Sequence, residues 1–317
     1  MAEPSSSGGA AVRRSDLIGF VQLAIAALGY GFMGLLRGWA VDAGADTVTL
    51  LALRFSIAGL VLLAIARIRR VPFPKGHMFW AACSMGAILY VIEAGTYFFA
   101  LRHIPSGLVA LLLYLYPAPV AIASWLFFRE KLGRARLVAL LLAMLGSAFT
   151  VVPALTGDSG GPAGGSPTLG VVLGVSCAIS YAVYMLMGGR VTKDNNPLAV
   201  TTLVCLSAAF VFAMWATLGD GWRLPHTGKG WTGVGLLSIF STVVAILCVL
   251  AGLKRLGSVR ASTISTLEAA ATVGVGAIFL HERLSPIQFL GGALILLGAI
   301  ICARAKHEDQ PCVTCEE

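Results

Sequence analysis

Charge is what this sequence has least of. Asp, Glu, Lys and Arg make up 12% of its 317 residues, about half the share in an ordinary soluble domain. Apolar residues reach 57% and the mean hydropathy is +0.85. A soluble chain of this length cannot hide so much apolar surface, which excludes an ordinary cytosolic enzyme. Disorder needs low hydrophobicity and high net charge, so it is excluded too. No G-x-x-x-x-G-K-[ST] and no H-E-x-x-H occurs, so neither a phosphate-binding loop nor a helical zinc-peptidase pair is written into the chain. The five histidines, at 77, 103, 226, 281 and 307, lie at the ends of apolar runs, in gaps or in the tail. They offer no metal cluster and no base beside a nucleophile. Asn-x-Ser/Thr is absent, and the seven cysteines form no disulfide framework. Five of these sit in apolar runs as small core residues. Cys312-x-x-Cys315 lies in the tail without a second ligand pair.

What is present is long and apolar. A helix crossing the hydrocarbon core needs about 20 apolar residues at 1.5 Å each. Ten such runs stand out: 17–36, 47–66, 78–100, 105–128, 137–153, 167–187, 198–218, 231–253, 258–280 and 286–303. They are continuous and rich in Leu, Ala and Gly, unlike the alternating segments of a β-barrel. The first has no clear signal-cleavage site and more spans follow it, so it reads as a retained helix. With the N-terminus in the cytoplasm, 17 of the 23 basic residues fall on the cytoplasmic side, five outside and Arg54 within a span. This bias orients the chain with both termini inside. The net charge of +8 therefore reads as topology and not as a nucleic-acid footprint.

The chain also repeats itself. Residues 101–132 align with 253–284 without gaps, pairing Ser106 with Ser258, Leu115 with Leu267, Phe127 with Phe279 and Glu130 with Glu282. The register continues to Gly146 and Gly298, and Tyr30 matches Tyr181 more weakly. A unit of five spans is odd, so the second copy enters the membrane upside down. Inverted repeats are a frequent plan of secondary transporters, with substrate bound between the copies near the midplane. The expected fold is thus an all-α membrane protein of ten transmembrane helices in two inverted five-helix repeats. Its parts are a cytoplasmic tail 1–16, a first repeat 17–153, a Gly/Ser-rich linker 154–166, a second repeat 167–303 and a cytoplasmic tail 304–317.

Each copy has a [KR]-x-[IL]-x-S start and an E-[KR]-L end. With these motifs the chain resembles EamA-type members of the drug/metabolite transporter superfamily over about 17–303. The most specific stretches are Tyr97 to Pro117 and Ser265 to Leu284. The family commonly has Glu-Pro where this chain has Glu268-Ala269, and Gln where it has Glu93. The resemblance implies ten helices and export or exchange of small metabolites such as amino acids, nucleosides or drugs.

Ionisable residues inside a span are costly, about 2.5–3.5 kcal/mol on insertion scales, and mark functional sites by default. Glu268 lies about 15 Å into the ninth span and Glu93 just past the middle of the third. Glu268 is expected to bind a coupling proton or the ammonium group of a substrate, with Glu93 as a second candidate for the same role; the alternative for each is a neutral carboxyl that bonds helices together. Arg54, about 10 Å from the outer surface, is expected to pair with a buried acid or carbonyl, with substrate contact as the second reading. All seven tyrosines fall within spans, away from the interfacial belt position. Tyr30, Tyr181 and Tyr184, with Tyr116 in the fourth span, are candidates to line a cavity. Pro117 and Pro119 are expected to kink that span and leave backbone groups facing protein or water. Glu130 and Glu282 read as structural ties at helix ends. The formal G-x-G-x-x-G at Gly29–Gly34 lies in a span, where a dinucleotide loop has no context.

The function these readings imply is a secondary transporter of a small organic solute, by efflux or exchange with alternating access, with proton coupling as one option. A passive metabolite channel and an intramembrane enzyme are the alternatives; enzymatic activity is not expected. No cofactor, metal or nucleic acid is expected. The partners are a small-molecule substrate and the lipid bilayer, with a homodimer as one candidate assembly. The expected location is the inner (plasma) membrane.

Overall fold

The computed structural model describes residues 6–100, 102–104, 106–128, 133–156, 166–219, 221–279 and 285–304. Among these residues every regular element is helical. The first half contains α1 (Ser6–Gly31), α2 (Met33–Asp42), α3 (Thr47–Ile68), α4 (His77–Ser84), α5 (Val91–Ala100), α6 (Ser106–Leu113), α7 (Pro117–Phe128) and α8 (Arg134–Thr156). The second contains α9 (Pro167–Asp194), α10 (Pro197–Leu218), α11 (Gly228–Ser238), α12 (Ala245–Leu256), α13 (Ser258–Ser265), α14 (Leu267–Phe279) and α15 (Pro286–Arg304). Eight helical stretches among the described residues are long and apolar enough to cross a membrane. Large apolar side chains such as Phe127, Phe210 and Phe289 are exposed on the outside. In water such a surface would drive aggregation; against lipid it is matched.

Helix starts follow ordinary capping chemistry. Asp46 accepts hydrogen bonds from the backbone of Val48 and Thr49 ahead of α3, Asn196 from Leu198 ahead of α10, and Thr227 from Gly230 ahead of α11. Gly257, at φ 76°, separates α12 from α13 with a single residue, a backbone state that favours glycine.

Several of the expected continuous spans are interrupted. The run 105–128 breaks at Tyr114–Tyr116, immediately before Pro117, as the two prolines suggested. The run 258–280 breaks at Thr266 without any proline. The first span breaks at Phe32. Two π-helical segments replace α-helix, Met85–Tyr90 between α4 and α5 and Ile239–Val244 between α11 and α12. They occupy matching places in the two copies, as do the breaks before Pro117 and at Thr266.

The halves interlock. α3 packs along α10 and α8 along α15, each helix against its own counterpart, while α1 packs on α12 and α5 on α9. Close approach of α8 and α15 needs small residues. A Cβ at Gly146 would sit 2.6 Å from the Gly291 carbonyl oxygen, and one at Gly298 would sit 2.8 Å from that of Ala139. The main core, with Phe55, Leu62, Met85, Met185, Phe212 and Ile246, fills the space between the halves. At one end of the bundle Arg260 of α13 donates two bonds to Asp16 of α1, at 3.1 and 3.2 Å, and a third to the Ala303 carbonyl of α15. Three helices are thereby tied through one nearly buried guanidinium.

Candidate functional site

Both half-buried acids directly follow an irregularity in their helix. Glu93 is in the first turn of α5, just after the π segment Met85–Tyr90. Glu268 is in the first turn of α14, just after the break at Thr266. One acid comes from each half. π turns frequently accompany functional sites, and interrupted helices form the binding sites of many carriers.

Arg54 is the fixed point beside them. Its side chain is 4% exposed. Nε donates to the Thr242 hydroxyl at 2.6 Å, and Nη2 to the Ser241 carbonyl at 3.1 Å and the Tyr90 hydroxyl at 3.4 Å. Nη1 meets the Met33 sulfur at 3.2 Å. Ser241 in turn donates to the Gly29 carbonyl at 2.5 Å. The guanidinium of the first half is therefore held mainly by the π segment of the second. It pairs with a carbonyl and hydroxyls, and with no acid among the described residues, although both Glu93 and Glu268 lie within electrostatic reach of it and Glu268 within reach of Glu93.

Aromatic rings line up across the seam. Tyr116, in the break ahead of α7, meets Tyr181 of α9 edge to face at 4.6 Å. Tyr181 stacks on Tyr184 at 5.9 Å with the planes 6° apart. Tyr184 meets Tyr90 at 6.0 Å, and Tyr90 meets Phe55 at 4.8 Å. Such ring pairs each contribute about 0.5–1.5 kcal/mol beyond their buried area. The Tyr116 hydroxyl donates to the Ser262 carbonyl at 3.1 Å. Tyr30 of α1 lies within electrostatic reach of Tyr90, Tyr184, Glu268 and Arg54. The seven side chains chosen from the sequence (Glu268, Glu93, Arg54, Tyr30, Tyr116, Tyr181 and Tyr184) thus gather in one region.

Several polar groups there meet nothing. Neither carboxylate has a hydrogen-bond or ion-pair partner among the described residues; only the backbone carbonyls are engaged, that of Glu93 accepting from Thr96 and Cys177 and that of Glu268 from Thr272. The Tyr184 hydroxyl is buried and unbonded. Glu93, Glu268, Tyr30 and Tyr181 each keep part of their surface open. Two cavities flank the cluster without containing it. One of about 460 Å³ lies between Leu62, Arg69, Asn196 and Leu247, and one of about 300 Å³ between Leu51, Gly95, Arg102 and Trp215.

Reasoning from sequence missed Tyr90, Ser241, Thr242 and Ser262. The hydroxyl pair Ser241-Thr242 within an apolar run is the one signal that could have found part of this set. Glu130, Glu282, Cys312 and Cys315 lie outside the described residues. Of the four tryptophans near span ends that fit a lipid-interface belt, Trp80, Trp222 and Trp231 are exposed and Trp39 is half-buried.

Comparison with known proteins adds a family. A model described as the EamA-like transporter family matches residues 17–152 and again 168–304. The uncharacterized transporter YcbK of Bacillus subtilis is 25% identical over 286 residues, 88% of this chain and 90% of its own length. The threonine/homoserine exporter RhtA of Escherichia coli is 28% identical over 266 residues, covering 82% of this chain and 80% of the exporter. A crystal structure shares the fold with a TM-score of 0.74 at 22% identity, over 91% of this chain and 97% of that one.

Proposed function

Because the chain belongs to the EamA-like transporter family, we propose that it is a secondary carrier that moves a small organic metabolite across the inner membrane by alternating access. The ten spans form two inverted halves, 17–153 and 167–303, joined by the linker 154–166, with both termini cytoplasmic. The basic bias of the gaps supports this orientation. The substrate sits between the halves, against Glu268, Glu93 and the faces of Tyr30, Tyr116, Tyr181 and Tyr184. Arg54 positions the site through its bonds to the opposite half. Export is the direction favoured by the named function of the RhtA relative.

One observation carries this reading. Each half places an unpartnered acid directly after a helix irregularity, and tyrosines from both halves meet between them. A packed structural core would pair such groups. Rocking one half against the other would expose that cluster to each side in turn.

In proteoliposomes a carrier gives saturable counterflow, whereas a channel gives flux linear in concentration. Glu268→Gln is expected to lower counterflow at least tenfold and to flatten its dependence on pH. Unchanged transport with an unchanged pH response removes Glu268 from proton handling.

A further inference from the structure

The polar inventory of the cluster is lopsided. The carboxylates of Glu93 and Glu268 are acceptors without donors, and the Tyr184 hydroxyl is buried without a partner. The hydroxyls of Tyr30 and Tyr181 likewise have no bond among the described residues, which leaves them free to accept or to donate. Among the described residues, Arg54 is the one basic side chain within electrostatic reach of both acids. Four of its five donors are already directed at Thr242, Ser241, Tyr90 and Met33. Redirecting the donors aimed at Thr242 and Ser241 to a ligand carboxylate would orphan groups that are themselves buried, and each such loss costs about 1–3 kcal/mol. The site therefore has two anionic acceptors to spare, while its one nearby cation is largely committed to the protein itself.

We infer that the solute this site selects is an organic ammonium with an apolar or aromatic body and no carboxylate of its own. The inference rests on the carrier reading above for the location of the site. An ammonium brings three donors and a positive charge, which is what two unpartnered carboxylates lack. The tyrosine faces add attraction for a cation and stacking area for its body. A zwitterionic amino acid would satisfy the acids equally but would bury its own carboxylate without a counter-charge, a large penalty in a dry site. An anion would meet repulsion from both acids. This sets the chain apart from the amino-acid specificity printed in the name of the RhtA relative.

Three probes share one body and differ in charge: phenethylamine, phenylalanine and 3-phenylpropanoate. Binding of each to the purified full-length protein in detergent, by titration calorimetry at neutral pH, tests the inference. Phenethylamine is expected to bind at least tenfold more tightly than phenylalanine, and 3-phenylpropanoate not to bind. Glu93→Gln and Glu268→Gln are each expected to weaken the amine tenfold or more, and Tyr184→Phe, which keeps the ring, about threefold. Asp42→Asn, an exposed acid at the end of α2, leaves it unchanged. Each variant is first shown to elute as a monodisperse peak. If either acid variant fails this, Tyr184→Phe and the three-probe ranking decide alone. Equal or tighter binding of phenylalanine, no binding of any probe, or amine binding indifferent to all three site variants overturns the inference. Saturable counterflow of some other solute with no amine binding would spare the carrier reading and sink this one. Amine binding with only linear flux of the bound amine would do the reverse.

Discussion

Arg54 shows how much one side chain can organise. It reaches from α3 into the opposite half and binds a hydroxyl and a carbonyl on one π segment, a tyrosine on the other and a sulfur on α2. Lysine would keep the charge but is a compact point donor that cannot span these partners at once. Arg54→Lys is expected to cost about 1–3 kcal/mol, from buried groups left unbonded. A lower midpoint of thermal unfolding in detergent checks this, and an unchanged midpoint would show that the bonds contribute little. At this scale the sequence was half legible. Glu93, Glu268 and Arg54 stood out because a charge in an apolar run has no innocent reason to be there. Their partners did not. Tyr90 was one in-span tyrosine among seven, and Ser241 and Thr242 were easily passed over, since a hydroxyl in a span is as often bonded to its own helix, as Ser238 and Thr202 are here.

Elements were legible where the bilayer dictates them. A run of about 20 apolar residues has little choice but to form a spanning helix, so most expected spans coincide with helices within a few residues. The break ahead of Pro117 was also readable, because proline removes a donor and clashes with the preceding turn. The interruption at Thr266 and the two π segments carry no such mark. Ordinary helix-compatible residues occupy them, and packing between the halves decides the local shift in hydrogen bonding. The pair α8–α15 lies between these extremes. Gly146 and Gly298 were matched by the repeat, but only the structure reveals that each meets backbone of the other helix. Gly146→Val and Gly298→Val are each expected to cost about 1–3 kcal/mol by overpacking. The cost should appear as a lower thermal midpoint for both, of similar size because the two contacts are equivalent. Gly274→Val, where an added Cβ meets nothing within 4 Å, is the neutral comparison.

For the molecule as a whole, the strongest adhesion is not along the chain but across it. Helices α3 and α10, α8 and α15, α1 and α12, and α5 and α9 are partners from opposite halves, and Arg260 adds an ionic tie between them. Repetition was visible in the sequence as matched polar landmarks. Reciprocal embrace was not, because shared leucines do not tell a neighbour within a copy from one across the seam. A gene severed between Thr156 and Ser166 would then encode two polypeptides with every face needed to find each other. Co-expressed, they are expected to co-purify through a tag on either one and to restore counterflow. Such a split transporter would make each half separately mutable, so a lesion could be placed in one piece while its twin stays intact.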